Sequence, residues 1–431
     1  MHIIHVMKKV LIISEVYKSG GSGNATKQLV NFFENEKIEF KLLVPYLTEK
    51  KKNIISYYSF FSYKTYQILK LILRILTFII SKNRYYFLNN IFNVSLYSIN
   101  QIKKKIKDFN PDYVLILWYE YILNYKTILK IKSELNVKII IFPFDMFPFT
   151  GGCRYSQSCN NFLRNCENCP AVYLNSIPNK QFLINKNLIK EINPIYMFPS
   201  KYSMNFALQT KILGKNTSRF IFYYPIENNA YNNDLSTSSN IKMISKLIRK
   251  KKYKNIIFFG SQDGNEWRKG MYNLKYLINV YKKKFPENYK KSLFIGMGKN
   301  LENIFHLEKN DKNFVILNFL ELKEYNIILD LSDIVIIPSL QEWSSLMLSE
   351  AFYKKKTIIG FNTGSSKEYI AHGINGFILD PYSSSNFSQT LNFLFKKKKI
   401  FKKKKFNQLD IQKKRNIRVK NNEILSYLNI K

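Results

Sequence analysis

Val10-Leu-Ile-Ile-Ser14 leads into the glycine-rich Gly20-Gly21-Ser22-Gly23-Asn24, and this stretch decides the fold class of the sequence. The first part is a continuous apolar run, and 25–33 after the glycines has helical character. A strand, a loop and a helix N-terminus present free N–H groups and a favourable dipole to an anion. The stretch therefore predicts the start of a Rossmann-like domain.

The same order of features recurs about 245 residues later in the chain. The apolar run 256–260 leads into Arg268, Lys269 and Gly270, and a second helical stretch follows. Two such openings predict two Rossmann-like domains that face one another.

Further apolar runs occur along the chain, with Gly, Pro or Ser at their ends and longer helix-like stretches between them. Such continuous hydrophobicity is typical of strands buried on both faces in a parallel sheet. The predicted strands are 9–14, 40–45, 113–118, 138–142, 220–224, 255–260, 293–296, 314–317, 333–338, 357–361 and 376–379. The predicted fold class is α/β.

Composition narrows the possible partners. The chain has 431 residues, 46% hydrophobic and 23% charged, so it can bury substantial cores and is not a disordered polycation. Its 68 Lys and Arg against 30 Asp and Glu give a net charge of +38. That excess is compatible with nucleic acid, with an anionic membrane surface or with a general compositional bias toward lysine.

The longest apolar stretch, 66–81, is interrupted by Lys70 and Arg74 on one helical face, so it is predicted to lie on a surface and not to span a bilayer. The N-terminus has the features of a first strand and not of a signal peptide, which predicts a cytoplasmic protein.

Two changes in composition divide the chain. The polar stretch 227–240 follows Pro225 and has the composition of a linker, which predicts domains at 1–225 and 226–395. Lysine runs at 396–399 and 402–405 open a third segment, 396–431, predicted to be a Lys-rich helix or tail. These runs fit either a solvated helix end or a contact with anionic lipid.

Glu342 and Glu350 lie seven residues apart after a buried strand and Pro338. If a helix begins between them, Glu342 precedes it and Glu350 lies inside it. Carboxylates at the end of a parallel strand bind sugar hydroxyls well, because each oxygen accepts strong hydrogen bonds. The alternative is a helix with a favourable N-terminal acid and a solvated glutamate.

Together with Lys269-Gly270 and 20–23, these glutamates resemble motifs of the retaining glycosyltransferases of family 4. The segments 362–368 and 372–376 also fit the pattern, and the resemblance covers most of 8–385. Phe144-Asp145 with 146–155 is similar to the HD-x-W-x-F-T-G-G-C-H-Y segment of the subgroup that makes colanic acid and related exopolysaccharides.

The resemblance implies the GT-B architecture, in which two Rossmann-like domains with parallel sheets face a central cleft. It assigns a glycan acceptor to 1–225, which includes a Cys-rich loop at 150–170, and a nucleotide-sugar donor, UDP- or GDP-linked, to 226–395. It further implies retention at the anomeric carbon with no metal cofactor for catalysis.

The resemblance also implies roles for single residues. Glu350 would bond the nucleotide ribose, Glu342 the hydroxyls of the donor sugar, and Lys269 with Arg268 the phosphates. Backbone N–H groups would come from Ser344, Ser345 and Leu346, and from Gly21, Ser22 and Gly23.

The sequence departs from the family pattern beside Asp145, the second proposed catalytic residue after Glu342. The family places a histidine before this aspartate, where the chain has Phe144. Phenylalanine neither accepts a proton nor donates a hydrogen bond. The reaction therefore either proceeds through donor and acceptor contacts with the help of Asp145, or the protein has weak or altered activity; a catalytically silent GT-B scaffold is a further alternative.

All four cysteines lie in one short segment, in the spacing C-x5-C-x6-C-x2-C; they are Cys153, Cys159, Cys166 and Cys169. This grouping fits a structural zinc bound by four thiolates, and the alternatives are a disulfide pair or free thiols. A zinc site of this closed kind would shape the loop and would not catalyse.

The sequence therefore predicts a glycosyltransferase of the hexosyltransferase type, acting on a lipid-linked acceptor in cell-surface polysaccharide or lipopolysaccharide biosynthesis. The region 50–107, basic and aromatic, suits peripheral attachment at the inner face of the cytoplasmic membrane. A nucleic-acid-binding protein is the competing class, but it does not explain the paired glycine loops or the glutamate spacing, so no nucleic-acid partner is expected.

Overall fold

The structure, a computed structural model, describes residues 8–18, 20–49, 51–214, 216–226, 239–251, 253–306, 311–318, 320–403 and 420–430. It divides into a first unit, Met1–Pro225 with Ile417–Lys431, and a second unit, Ile226–Asn416. The end of the segment that the sequence set apart as a tail is thus grouped with the first unit. Most of the linker stretch, 227–238, lies outside the described residues, as do Lys404 and Lys405 of the second lysine run.

The first unit contains one seven-stranded sheet, in which all neighbouring strands are parallel and the order is β3-β2-β1-β4-β5-β6-β7. Its strands are β1 Val10–Ile13, β2 Phe40–Val44, β3 Ile54–Ser56, β4 Tyr113–Ile116, β5 Lys138–Ile141, β6 Ile195–Phe198 and β7 Arg219–Ile221. Its helices are α1 Gly20–Asn35, α2 Phe60–Ile80, α3 Ile99–Lys105, α4 Tyr125–Leu135, α5 Ser176–Ile192 and α6 Lys201–Gln209.

The second unit contains a six-stranded parallel sheet in the order β10-β9-β8-β11-β12-β13. Its strands are β8 Asn255–Asp263, β9 Ser292–Lys299, β10 Phe314–Leu317, β11 Ile334–Ile337, β12 Thr357–Phe361 and β13 Gly376–Leu379. Its helices are α7 Ser239–Lys251, α8 Met271–Lys284, α9 Pro286–Lys290, α10 Leu301–Ile304, α11 Leu322–Leu331, α12 Leu346–Tyr353, α13 Ser366–Tyr369 and α14 Ser384–Lys403.

The predicted α/β class with two Rossmann-like domains is confirmed. Strands β1, β4 and β11 are buried at every residue, as expected for the centre of a sheet covered on both faces. Each of the eleven predicted apolar runs overlaps a strand. The sequence missed β3, which is short and partly exposed, and β6, whose Tyr196 and Met197 depart from the β-branched pattern.

In each sheet the order of strand addition reverses once. The reversal lies between β1 and β4 in the first unit and between β8 and β11 in the second. In open parallel sheets the carboxyl ends of the strands at such a switch point form the usual ligand-binding position. The fold therefore directs attention to the residues that follow these four strands.

One local expectation was wrong. The sequence predicted a loop at 20–24 with the helix starting at residue 25, but α1 begins at Gly20. Gly20 has φ 66°, which glycine adopts readily, and a side chain at Gly23 would meet the backbone of Lys18 at 3.2 Å. The glycines thus form the first turn of the helix, where backbone N–H groups have no partner within the helix.

Candidate functional site

The carboxyl ends of β8 and β11 bring three charged residues of the second unit together. Arg268 and Lys269 lie on a short 3-10 turn after β8, and Glu342 lies in the loop after β11. Lys269 Nζ is 2.6 Å from Glu342 Oε2, and Arg268 Nη1 is 3.3 Å from the same oxygen. Arg268 also pairs with Glu266 at 2.6 Å. The pair of cations predicted from sequence therefore lies against the first of the two predicted glutamates.

Close backbone packing holds this cluster in place. Gly270 follows the two cations with φ 68°, and a side chain there would overlap the carbonyl oxygen of Pro338. The N–H of Leu340 donates to the carbonyl oxygen of Arg268 at 2.7 Å. Gly364 has φ 53° and lies against the Glu342 backbone, where a Cβ would come within 2.7 Å of the carbonyl oxygen. The turn after β8 and the loop after β11 thus fit together only with glycine at both positions.

The electrostatics of the cluster keep Glu342 ionised. Burial alone would raise its pKa, but the positive charges of Lys269 and Arg268 outweigh burial and lower the pKa of Glu342 to about 2. Burial and the neighbouring Arg268 lower the pKa of Lys269 from its ordinary value, while Glu342 opposes that change. The cluster therefore presents buried, charged hydrogen-bonding groups at the switch point of the sheet.

The second predicted glutamate lies inside α12, as the sequence predicted. Glu350 is buried, and its Oε2 accepts a hydrogen bond from the Tyr325 hydroxyl at 2.5 Å. Burial, followed by the negative charge of Glu350, raises the pKa of Tyr325 well above its ordinary value, so the phenol stays a donor. Tyr325 could not be predicted as a partner from the sequence, because it lies on α11 and no local spacing links it to Glu350.

The residues between the two glutamates form the start of α12. The Ser345 side chain caps the helix by accepting from the Leu348 N–H at 3.3 Å. Leu346 is the first helical residue, and the Ser344 hydroxyl lies 3.4 Å from that of Ser365. This first turn leaves backbone N–H groups without partners inside the helix, next to Glu342 in sequence.

In the first unit, Asp145 follows β5 and is held by its own chain. Its Oδ1 accepts from the Phe147 N–H at 2.9 Å and its Oδ2 from Arg154 Nε at 2.8 Å. The Arg154 guanidinium also lies 4.2 Å from the ring centroid of Trp118. Phe144 packs against aromatic neighbours, with its ring centroid 6.5 Å from that of Trp118. The position that holds histidine in the family pattern is thus part of an aromatic cluster.

The carboxyl ends of β1 and β4 carry a second ionic cluster that the sequence analysis missed. Glu15 and Glu120 are buried there, and α2 supplies their partners. Lys70 pairs with both glutamates, at 2.9 Å from Glu120, and Arg74 is 2.8 Å from Glu120. The Tyr66 hydroxyl donates to Glu15 at 2.7 Å. The available signal was a glutamate shortly after each of two buried strands.

The pKa values of the two glutamates, Glu15 and Glu120, shift in opposite directions. Burial, reinforced by the charge of Glu120, raises the pKa of Glu15 despite the opposing Lys70. Burial would also raise the pKa of Glu120, but Lys70 and Arg74 lower it below its ordinary value. The cluster therefore fixes α2 to the sheet edge with one firmly ionised carboxylate.

Known proteins share the fold of this chain. Residues 240–414, less than half of the chain, match the family model of the group 1 glycosyl transferases. No curated protein sequence matches the chain significantly. Among solved structures, Anabaena Alr3699/HepE in complex with UDP-glucose is 13% identical with a TM-score of 0.61, over 97% of this chain and 99% of that one.

Two further structures are similar over nearly the same length. A glycosyltransferase from Rickettsia africae ESF-5 is 15% identical with a TM-score of 0.62, over 98% of this chain and 97% of that one. WaaG, a glycosyltransferase involved in lipopolysaccharide biosynthesis, is 9% identical with a TM-score of 0.53, over 91% and 92%. The chain has the GT-B fold.

The cysteine segment of this GT-B chain surrounds one small cavity of about 10 Å³, and all four thiols are free. Gly151 N–H donates to Cys166 Sγ at 3.0 Å, and Asn161 N–H to Cys159 Sγ at 3.4 Å. Burial raises the pKa of the Cys166 thiol to about 12. Within the described ranges, no three or more Cys, His, Asp or Glu side chains are arranged to hold a metal ion.

Proposed function

We propose that the chain is a glycosyltransferase that takes a sugar from a nucleotide-sugar donor, UDP- or GDP-linked, bound by the second unit. The observation that carries this proposal is the contact of Lys269 and Arg268 with the buried, ionised Glu342, beside the first turn of α12. The match of 240–414 to group 1 glycosyl transferases supports it, as does the similarity to a structure in complex with UDP-glucose.

The chemistry assigned to these residues follows from the leaving group. Breaking the bond between sugar and nucleotide leaves negative charge on a diphosphate, so catalysis requires fixed positive groups near it. Lys269 and Arg268 supply charge, and the N–H groups of Ser344, Ser345 and Leu346 supply hydrogen bonds. Gly21, Ser22 and Gly23 at the start of α1 offer further N–H groups to an anion.

The two glutamates would orient the donor. Glu342 would accept hydrogen bonds from the hydroxyls of the sugar, and Glu350, kept in place by Tyr325, would accept from the ribose. Asp145 would act on the acceptor side as a carboxylate that accepts a further hydrogen bond from a substrate hydroxyl. We propose retention at the anomeric carbon, as in the family 4 enzymes that the sequence resembles.

For the acceptor we propose a lipid-linked glycan of a cell-surface polysaccharide or lipopolysaccharide, as in the exopolysaccharide subgroup. The similarity to WaaG supports this assignment. The reaction would take place at the inner face of the cytoplasmic membrane, to which the protein would bind peripherally.

A structural zinc at the four cysteines is a separate proposal, supported by their position around one cavity. Binding would require the thiols to rotate until the sulfurs surround a tetrahedral centre. Metal analysis of the purified protein should find about one zinc per chain, absent from a Cys166→Ser Cys169→Ser variant. Protein without zinc and with a melting temperature unaffected by chelator would contradict it.

A panel of nucleotide-sugars tests the function. One donor class should raise the melting temperature, because a ligand that binds only the folded state stabilises it. Glu350→Ala should remove that increase, whereas Glu287→Ala, at an exposed position on α9 ahead of β9, should retain it. The proposed function fails if no nucleotide-sugar stabilises the wild-type protein.

A transfer assay with the donor so found would test the reaction. Product should form with lipid-linked acceptors in the presence of EDTA, and NMR should show the anomeric configuration of the donor. Donor binding without transfer to any acceptor would instead favour a catalytically silent scaffold, for which Phe144 is the motivating residue.

A further inference from the structure

Helix α2 is amphipathic in the reverse of the usual sense. Tyr66, Lys70 and Arg74 direct their polar groups toward the sheet edge, where they bond Glu15 and Glu120. Soluble proteins normally place such charges in water and turn the apolar side of a surface helix toward the core. Here the ionic cluster fixes the helix to the first unit and leaves its apolar side outward.

The outward side of α2 is almost entirely apolar. Phe61 is 81% exposed, Ile68 60% and Ile79 63%. The exposed large apolar residues on this helix are Phe60, Phe61, Ile68, Leu69, Leu71, Ile72, Ile75, Leu76, Phe78 and Ile79. Several of them follow the i, i+3, i+4 spacing that forms a continuous stripe. A contiguous apolar surface of this kind marks an interaction site.

The segment that carries the stripe has charges of one sign. The segment 50–107 contains twelve Lys and Arg and no Asp or Glu. Four lysines near the helix are exposed: Lys51 and Lys52 precede it, Lys64 lies in its first turns and Lys82 follows it. Cations beside an apolar stripe are complementary to a bilayer whose headgroups are anionic and whose interior is apolar.

Two other occupants fit less well. In a symmetric pair of this chain, the lysines that surround each stripe would meet lysines of the same sign. A membrane span is also not indicated, because no helix in the described part of the chain has the length and hydrophobicity to cross a bilayer.

We propose that α2 lies in the interface of an anionic membrane, with Ile68, Ile72 and Ile79 at headgroup depth and the flanking lysines against the lipid phosphates. This deepens the proposed function and rests on it for its purpose, which is to bring the enzyme to a lipid-linked acceptor. The binding itself requires only the surface of α2.

Flotation with vesicles tests the proposal on the full chain. Wild-type protein should float with vesicles that contain phosphatidylglycerol and much less with pure phosphatidylcholine. The triple variant Ile68→Gln Ile72→Gln Ile79→Gln should bind the anionic vesicles at least about tenfold more weakly than wild type, because three apolar side chains no longer enter the interface. Its melting temperature should match that of wild type, since these side chains are exposed.

A matched control separates the stripe from general hydrophobicity. The double variant Tyr272→Gln Tyr276→Gln removes two aromatic side chains from α8 in the second unit, where they are 60% and 58% exposed. It should leave vesicle binding unchanged. Equal flotation of the triple variant and wild type would overturn the proposal. So would a wild-type dimer that does not float and that the triple variant converts to a monomer.

Donor-induced stabilisation, measured on the same proteins, keeps the two proposals apart. If the triple variant loses flotation but retains stabilisation by the nucleotide-sugar, both proposals stand. If wild-type protein binds the donor and does not float, only the membrane proposal fails. If it floats without binding any donor, only the proposed function fails.

Discussion

Glu342 shows at the scale of one residue how charge pairing offsets burial. Its pKa is about 2 in the folded protein, against an ordinary value of 4.5. A carboxyl group with a lowered folded pKa stabilises the protein above its unfolded pKa, and this stability is lost as pH falls toward the folded pKa. The difference corresponds to about 3 kcal/mol, lost between about pH 4.5 and pH 2.

The variant Glu342→Gln tests the direction of this pH dependence of stability. It should be less stable than wild type at pH 7, because Lys269 and Arg268 keep their positive charges without the partner. The difference in the free energy of unfolding should shrink as pH falls from about 4.5 to about 2, since the carboxyl of Glu342 is then protonated in the unfolded wild-type chain while it is still ionised in the folded one. Urea unfolding at a series of pH values measures it, and a constant difference would contradict the assignment.

Tyr325→Phe tests the partner of the second glutamate. It removes the donor to Glu350 and leaves a buried carboxylate with one hydrogen bond fewer. The loss should cost about 1.5–3 kcal/mol of stability, the range for hydrogen bonds to charged groups. It should also weaken donor binding if Glu350 contacts the ribose. Urea unfolding and titration with the nucleotide-sugar measure the two effects, and an unchanged free energy of unfolding would show that the bond contributes nothing.

At the scale of elements, the turn after β8 depends on its closeness to the loop after β11. Gly270→Ala combines a positive φ with overlap of the Pro338 carbonyl oxygen, so it should cost about 2 kcal/mol or more and disturb Arg268 and Lys269. Gly21→Ala is the matched control, because a side chain at that helical position meets nothing within 4 Å. It should be neutral or stabilising by about 0.5–1 kcal/mol. Similar destabilisation by both variants would refute the packing argument.

The sequence predicted these elements well where local pattern determines them. Buried strands such as β1 and β11 are recognisable because both faces are covered and every residue is apolar. The start of α1 was misplaced because glycine has a low helix propensity. Here the glycines are held by tertiary structure: the Lys18 N–H donates to the Gly23 carbonyl oxygen at 3.0 Å, and a side chain at Gly23 would meet the Lys18 backbone. Partners on different elements, such as Tyr325 for Glu350 or α2 for Glu15, depend on tertiary packing that no local spacing records.

At the scale of the whole molecule, the chain forms two units of the same architecture, and its C-terminal segment belongs to the first of them. After the second sheet, the helical stretch 420–427 packs on the first unit. Asn421 exchanges side-chain hydrogen bonds with the backbone of Tyr223, both at 3.1 Å. The Tyr113 hydroxyl donates to the carbonyl oxygen of Leu428 at 2.6 Å. The first unit is therefore completed by residues that follow the second in sequence.

Leu425 tests whether this returning helix supports the first unit. It is 1% exposed, so Leu425→Ala should destabilise the protein by about 2–5 kcal/mol through lost burial and the cavity it leaves. Ser426→Ala, at the exposed neighbouring position, should change stability by less than about 0.5 kcal/mol. Calorimetry should show the first unit melting earlier in the leucine variant, while the nucleotide-sugar still stabilises the second unit. If the melting temperatures of both units fell together, the two units would unfold as one, and the helix would stabilise the entire chain.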